Sequence, residues 1–333
     1  MDILDIFNEG NELFTKASIA DHVDVQPHVP DHTSKWFDWN SQGETTDRLV
    51  IEFTEGNLAM IPEAVRGAPG DAPERDVDSG VPVRVPHFPQ RDALLASQFM
   101  GVRMSGSELL ETVENKRNQL LAKFNRRNRL MWEVSRIGAI TGLVINYKNQ
   151  VSKNWFTEFG VDQTTAEIDF AGSNTKIRTA LMKARDKGAE KLGDLTATRW
   201  VAVCGTDRFD SVVDHPSFEK AVERWNDGAA LRDDLSGGFP IASDITLVKY
   251  TRASVAGKVL IGPNDMYLCP VAEGMYQTRF APGTAMEDLG TLGKPEYVYP
   301  KVLDFNEGVE FKAQTNVLSY VQRLEAIVKV SQG

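Results

Sequence analysis

The sequence predicts an α+β chain organised around one long helix, and three observations carry that reading. Between Pro89 and Pro216 no proline interrupts, and inside that window Leu110, Val113, Leu120, Phe124, Met131, Val134 and Ile137 recur close to helical spacing. Before and after it, short segments alternate apolar and polar residues at the two-residue period of strands. From about residue 165 to 295 the two patterns mix in close succession.

Taken in order, the chain opens with an acidic segment: residues 1–50 hold ten Asp or Glu against three Lys or Arg. Few long apolar runs interrupt it, so it reads as an extended arm rather than an independent domain. "RLVIEF" (48–53) and "VPVRVPHFP" (81–89) then alternate as two strands, joined by a connection rich in Pro, Gly and acid. Together they make a long hairpin with an open tip. Pro82 and Pro86 remove two amides from one strand edge, so that edge is not a central one. A lone hairpin is marginal, and this one must lean on its own body or on a neighbouring subunit.

Ser105 stands three residues before Glu108, the spacing of a capping box. It opens a helix over about 106–137, roughly 48 Å long at 1.5 Å per residue. Gly138 and Gly142 are expected to end it, and "GLVINY" with "NWFTEF" reads as a hairpin behind it. "IRTALMKARDKGAEKL" predicts a helix and "RWVAVCG" a buried strand. Helices "DRFDSVV" and "PSFEKAVERW" follow, then strands "DITLVKY", "KVLIG" and "DMYLCPV". In "RLEAIVKV", Leu324, Ala326, Val328 and Val330 share one face of a terminal strand, expected to join a sheet built earlier in the chain.

Composition narrows the function classes. With 333 residues and 41% apolar content, the chain can bury one large core or two ordinary ones. No run of about 18 apolar residues exists, so no membrane partner is expected. The acidic start "MDILDIFNEGNELF" lacks the basic region of a signal peptide. Cys204 and Cys269 lie in strand-like apolar runs and read as buried thiols in a reducing compartment. A net charge of −10 argues against a general polyanion binder.

Candidate chemistry is thin. His22, His28 and His32 share "HVDVQPHVPDH", but Pro27 and Pro30 oppose a helical metal site and no Cys or Glu completes one. "DRFDSVVDH" places Asp207, Asp210, Ser211, Asp214 and His215 together. Ser211 and His215 fall on one helix, whereas triad members converge from separate elements. The plainer reading is a helix with Asp207 in its first turn that breaks at Asp214-His215-Pro216. "VAVCGTD" has one glycine, too weak a signal for a phosphate loop. The expectation is a chain with no catalytic, cofactor-binding or metal site, and not an enzyme.

One tract runs against the overall charge. From Asn115 to Arg129 the chain carries Lys116, Arg117, Lys123, Arg126, Arg127 and Arg129 and no acid. On the predicted helix they spread around much of the polar circumference instead of forming a narrow stripe. Pairing with carboxylates of the arm or hairpin tip is favoured over specific nucleic-acid recognition.

Late segments carry a resemblance. "AVCGTDRFDSVVDHPSFEKAV" (202–222), "DMYLCPVAEGMYQTRFAPGTAMEDLGTLGKPEYVYPKV" (265–302) and "GVEFKAQTNVLSYVQRLEAIVKV" (308–330) resemble the major capsid proteins of tailed bacteriophages, in particular the lambda-type major capsid protein E family. The order of arm, hairpin, long helix, compact insertion and return strands matches as well, and the likeness is diffuse over residues 1–100.

That resemblance implies the tailed-phage capsid fold: an N-terminal arm (1–46), an extended loop (47–90), a peripheral domain (91–171), an axial domain (172–295) and return strands of the peripheral domain (296–333). It implies hexamers and pentamers that close into an icosahedral shell around double-stranded DNA. Scaffolding and portal proteins, a decoration protein and non-specific contact with packaged DNA are the implied partners. The implied place is the virion, after assembly in the host bacterial cytoplasm. Some shells of this fold are locked by an isopeptide bond from a lysine on the extended loop. Here no lysine occurs between Lys35 and Lys116, so a non-covalent shell is expected. Two alternatives stay open: the shell of a bacterial protein compartment with the same fold, and a nucleic-acid-binding protein using the basic helix.

Overall fold

The computed structural model describes residues 32–54, 78–99, 106–145, 150–218, 238–251, 254–255 and 258–333. The chain enters through α1 (His32–Trp36) and β1 (Trp39–Gly43), then β2 (Arg48–Thr54), β3 (Asp78–Arg84) and β4 (Phe88–Leu95). The long helix α2 (Gly106–Thr141) follows, then β5 (Leu143–Ile145), β6 (Val151–Asn154), α3 (Trp155–Phe159) and β7 (Thr165–Ile168). Next come α4 (Ile177–Ala189), β8 (Arg199–Cys204), α5 (Thr206–Val213), β9 (Phe239–Pro240), β10 (Ile245–Lys249), β11 (Ser254–Val255) and β12 (Lys258–Val259). The last strands are β13 (Met266–Val271), β14 (Tyr276–Phe280), β15 (Tyr297–Val302), β16 (Gly308–Thr315), β17 (Val317–Val321) and β18 (Val328–Gln332).

A six-stranded sheet, ordered β7-β18-β13-β8-β10-β9, anchors the main core. Its central strands are buried along nearly their whole length, which is why "WVAVC" and "MYLCPV" read as continuous apolar runs. Pro270 is tolerated in β13 because β18 pairs only with Met266–Leu268, leaving the proline beside a single neighbour strand. The terminal strand does join a sheet built earlier, between β7 and β13. It starts later than expected, because Leu324–Ala326 forms a tight helical turn before Val328.

A second core is separate. Leu94, Val309, Phe311 and Ala313 of the sheet β15-β16-β4 pack against Val113, Leu120, Leu121 and Phe124 of α2. The other end of the same helix, Ile137, Ala139 and Ile140, belongs to the main core. At 36 residues α2 is about 54 Å long by its rise of 1.5 Å per residue. It runs past the expected end: Gly138 lies inside it, packed against Val144, and the stop is Gly142 at φ +76°, a left-handed cap that favours glycine. Ser105 of the expected capping box lies outside the described residues.

Between the two cores one face of α2 is polar yet buried, with Asn125, Asn128, Glu133 and Ser135 on it. Asn128 accepts from Gln90 Nε2 of β4 (2.8 Å), Trp132 Nε1 donates to Thr315 Oγ1 (2.9 Å), and Ser135 Oγ accepts the Ser319 amide of β17 (2.9 Å). Buried polar groups cost free energy unless they are bonded. These bonds therefore fix the helix in rotation and register against the β15-β16-β4 sheet and against β17, an edge strand of a further sheet ordered β1-β14-β17.

The other departures have local causes. "NWFTEF" forms helix α3, because Asn154 Oδ1 accepts the Phe156 amide as an N-cap and Gly160 ends the turn at φ +67°. The strand that pairs with β5 is β6. In "KVLIG" only Lys258–Val259 is strand, since Gly262 to Asp265 turns tightly, with the Asp265 amide donating to the Gly262 carbonyl (3.0 Å). Most of "PSFEKAVERW" lies outside the described residues. Phe124 is 1% exposed in the second core. Phe124→Ala should cost about 3–5 kcal/mol in urea unfolding of the subunit, whereas exposed Arg126→Ala should stay within about 0.5 kcal/mol.

Candidate assembly surfaces

The residues that most resemble a reactive site are occupied by structure. Ser211 Oγ donates to the Arg208 carbonyl (2.8 Å), while His215 meets Ser217 Oγ through Nδ1 (2.8 Å) and the Gly172 carbonyl through Nε2 (3.1 Å). Asp210 holds Lys249 at 2.7 Å, and Asp207 Oδ1 accepts from Thr206. The serine that His215 does meet, Ser217, is two residues on, and its amide also donates to His215 Nδ1 (3.1 Å), which makes the contact a local turn. Gly205 is required for a packing reason: a Cβ there would lie 2.0 Å from the Gly262 carbonyl oxygen. The Gly205 and Arg208 amides already donate to Asp265 and Pro263 carbonyls (3.0 and 2.9 Å), so the start of α5 is filled by the chain itself.

His32 packs edge-on against Tyr250 with ring centroids 5.7 Å apart, while His22 and His28 lie outside the described residues. Among the described residues no group of three or more His, Cys, Asp or Glu is placed to hold a metal. No helix among them is long and apolar enough to cross a membrane. Both cysteines are buried, and burial pushes the Cys204 and Cys269 thiols well up.

The basic tract divides into two sets. Arg117 is 4% exposed and lies against its own helix, bonded to Asn118 Oδ1 (3.0 Å) and 3.7 Å from Glu114. Burial pulls its guanidinium pKa down. It does not face outward, contrary to the expectation from helical spacing. Lys123 pairs with Asp92 of β4 at 2.9 Å, and this hydrogen bond, first among several causes, holds the Asp92 carboxyl below its ordinary value. With a lowered folded pKa, the pair contributes above about pH 4 and fades as pH falls through that lowered value. Both partners are over a third exposed (47% and 36%), so the contribution is about 0–1 kcal/mol.

Arg126 and Arg127 are exposed. Among the described residues neither has a carboxylate within ion-pair distance. Carboxylates of residues 1–31 and 55–77, the expected partners, lie outside the described residues. One contact of α2 with the expected arm is made by Arg136, which donates to Ser34 Oγ and stacks over Trp39 at 5.2 Å. The described part of that segment is seated rather than free. Trp36 and Phe37 are buried, and β1 lies parallel to β14.

The hairpin β2–β3 leans on its own body at its root. Leu49, Ile51, Val83 and Val85 enter the main core, and Arg84 Nε donates to Asp47 Oδ2 (2.9 Å). Its outer face shows Val50, 62% exposed, paired with Pro82. Beside the root a cleft of about 760 Å³ opens between Asp47, Arg84, His87, Pro282 and Leu289. Met286, Leu289 and Leu292 on the neighbouring loop are 87%, 67% and 66% exposed. Periodicity cannot find such residues. The available signal was apolar residues set between glycines and acids in "MEDLGTLGKP".

A double reversal, Arg126→Glu with Arg127→Glu, should leave the far-ultraviolet circular dichroism and unfolding midpoint near wild type. It should impair association, read by sedimentation velocity. Gly205→Ala should destabilise by about 1–3 kcal/mol through overpacking.

Comparisons with known proteins agree with this geometry. The sequence pattern described as phage major capsid protein E matches residues 15–332. The major capsid protein of Pseudomonas phage KPP10 is 22% identical, over 86% of this chain and 87% of its own. That of Salmonella phage Felix O1 is 23% identical, over 97% of both. In fold, the chain is similar to a crystal structure assigned as a prophage capsid protein of Escherichia coli CFT073 (TM-score 0.58, 12% identity, 96% and 99% covered). It is also similar to the capsid protein of Myoviridae phage XM1 (TM-score 0.52, 10% identity, 92% and 94% covered). With its mixed sheets and one long helix, the chain belongs to the phage major capsid protein E family.

Proposed function

We propose that this chain is the repeating subunit of a phage head, joining copies of itself as hexamers and pentamers into an icosahedral shell around double-stranded DNA. The observation that carries the reading is the family match across residues 15–332. A seated hairpin root, exposed apolar side chains and the exposed basic face at Arg126 and Arg127 support it, because many modest contacts add up in a closed assembly.

In this reading residues 1–46 form the arm, 47–90 the extended loop, and 172–295 an axial domain set into a peripheral domain of 91–171 and 296–333. The sheets cross that division: β7 and β18, outside 172–295, complete the six-stranded sheet. The chain does no catalysis in this account, and the capture of Ser211, His215 and Gly205 by structural contacts supports that. Scaffolding, portal and decoration proteins are its partners in the head. Assembly takes place in the bacterial cytoplasm, and packaged DNA meets the shell as diffuse charge. The two curated relatives named above are phage major capsid proteins, which supports a phage head over a bacterial compartment shell.

Electron microscopy of the expressed chain, alone and with a scaffold from its own phage, tests the reading. Closed shells of uniform radius are expected. Dispersed monomers with steeply salt-dependent duplex binding would favour the nucleic-acid alternative instead. Denaturing gels of purified particles should show monomer only, since no lysine lies between Lys35 and Lys116, and a ladder of covalent multimers would contradict that.

A further inference from the structure

The hairpin joining β15 to β16 ends in Asp304-Phe305-Asn306, and Phe305 is 96% exposed, the highest value for a large apolar side chain among the described residues. This exposure is not the slack of a loose loop. Phe305 (φ 59°) and Asn306 (φ 55°) both occupy the left-handed region, and they are the non-glycine residues found there among those described. A bulky side chain adopts that backbone rarely.

The turn is closed by the Leu303 amide donating to the Gly308 carbonyl (2.9 Å) and the Asn306 amide to the Leu303 carbonyl (3.2 Å). Its stalk is rooted in the second core, where Val309 and Phe311 are fully buried. An aromatic ring is thus held outward, on a rigid stalk, in a backbone that glycine would fill without strain. Strain kept at an exposed aromatic points to a use outside the subunit.

We infer that Phe305 is an anchor between copies, its ring seated on the surface of a second copy of this chain. The inference rests on the shell reading, in which the chain's work is to pack against itself. Charge selects the same partner. Asp304 and Glu307 flank the ring as an exposed acidic collar, which most of a chain carrying a net charge of −10 would repel. The chain also carries an exposed surface of opposite sign at Arg126 and Arg127, as a heterologous contact between identical subunits requires. A central aromatic with a polar rim is the usual build of an interface hot spot.

The test places a benzophenone side chain at position 305 and irradiates assembled particles, alongside Phe305→Gly and Phe305→Ser. Irradiation should give dimers whose linked peptide comes from another copy. Both variants should lose about tenfold or more in particle yield at equal concentration. Phe305→Gly should melt at or above the wild-type temperature, which a merely structural residue would not do. Wild-type yields from both variants, or a link to the same chain or to a different protein, would overturn the anchor while wild-type shells still form. If the wild type forms no shells, the shell reading fails and the anchor fails with it.

Discussion

The structure depends on one helix being shared between two apolar cores. Alpha-helix α2 gives Val113, Leu120, Leu121 and Phe124 to the small core over β4, β15 and β16, and Ile137, Ala139 and Ile140 to the large one. A three-stranded sheet with one buried face has little to pack on by itself. Without the helix its Phe311 and Val309 would lose their cover. The buried polar stretch between the cores, bonded through Gln90, Thr315 and Ser319, holds the two ends in a fixed relation. Sliding the helix would break those bonds together, leaving buried groups unsatisfied at about 1–3 kcal/mol each.

This arrangement suits a shell subunit for a mechanical reason. The surfaces proposed to face neighbours are set on elements rooted in one core or the other: the β2–β3 hairpin in the large core, the β15–β16 turn in the small one. A rigid rod between them fixes the distance and angle of those surfaces. Small errors in such angles are repeated at every copy of a closed assembly, so stiffness inside the subunit matters more than the strength of any single contact.

Much of this was legible in the sequence. The helical stripe from Val113 to Ile137, the buried strands "VAVC" and "MYLCPV", and the first hairpin strand all rest on local periodicity and are present where expected. "VPVRVPHFP" is not one strand: β3 ends at Arg84, and Phe88 and Pro89 already belong to β4, paired with β16. What sequence reading missed depended on distant partners. Gly138 looks like a stop until Val144 is seen packed against it, and Arg117 looks like a surface cation until the fold covers it. "NWFTEF" alternates like a strand, yet one asparagine cap turns it into a helix. Phe305 could not be found at all, since a phenylalanine between two strands is ordinarily core, and only the backbone shows it turned outward.

The claim that one helix makes two cores a single body is tested most directly by native-state hydrogen exchange along α2 in the unassembled subunit. Amides from Leu120 to Ile140 should open with one common free energy, shared with β13 and β16. A step in protection between Phe124 and Ile137, with the small core opening first, would contradict it.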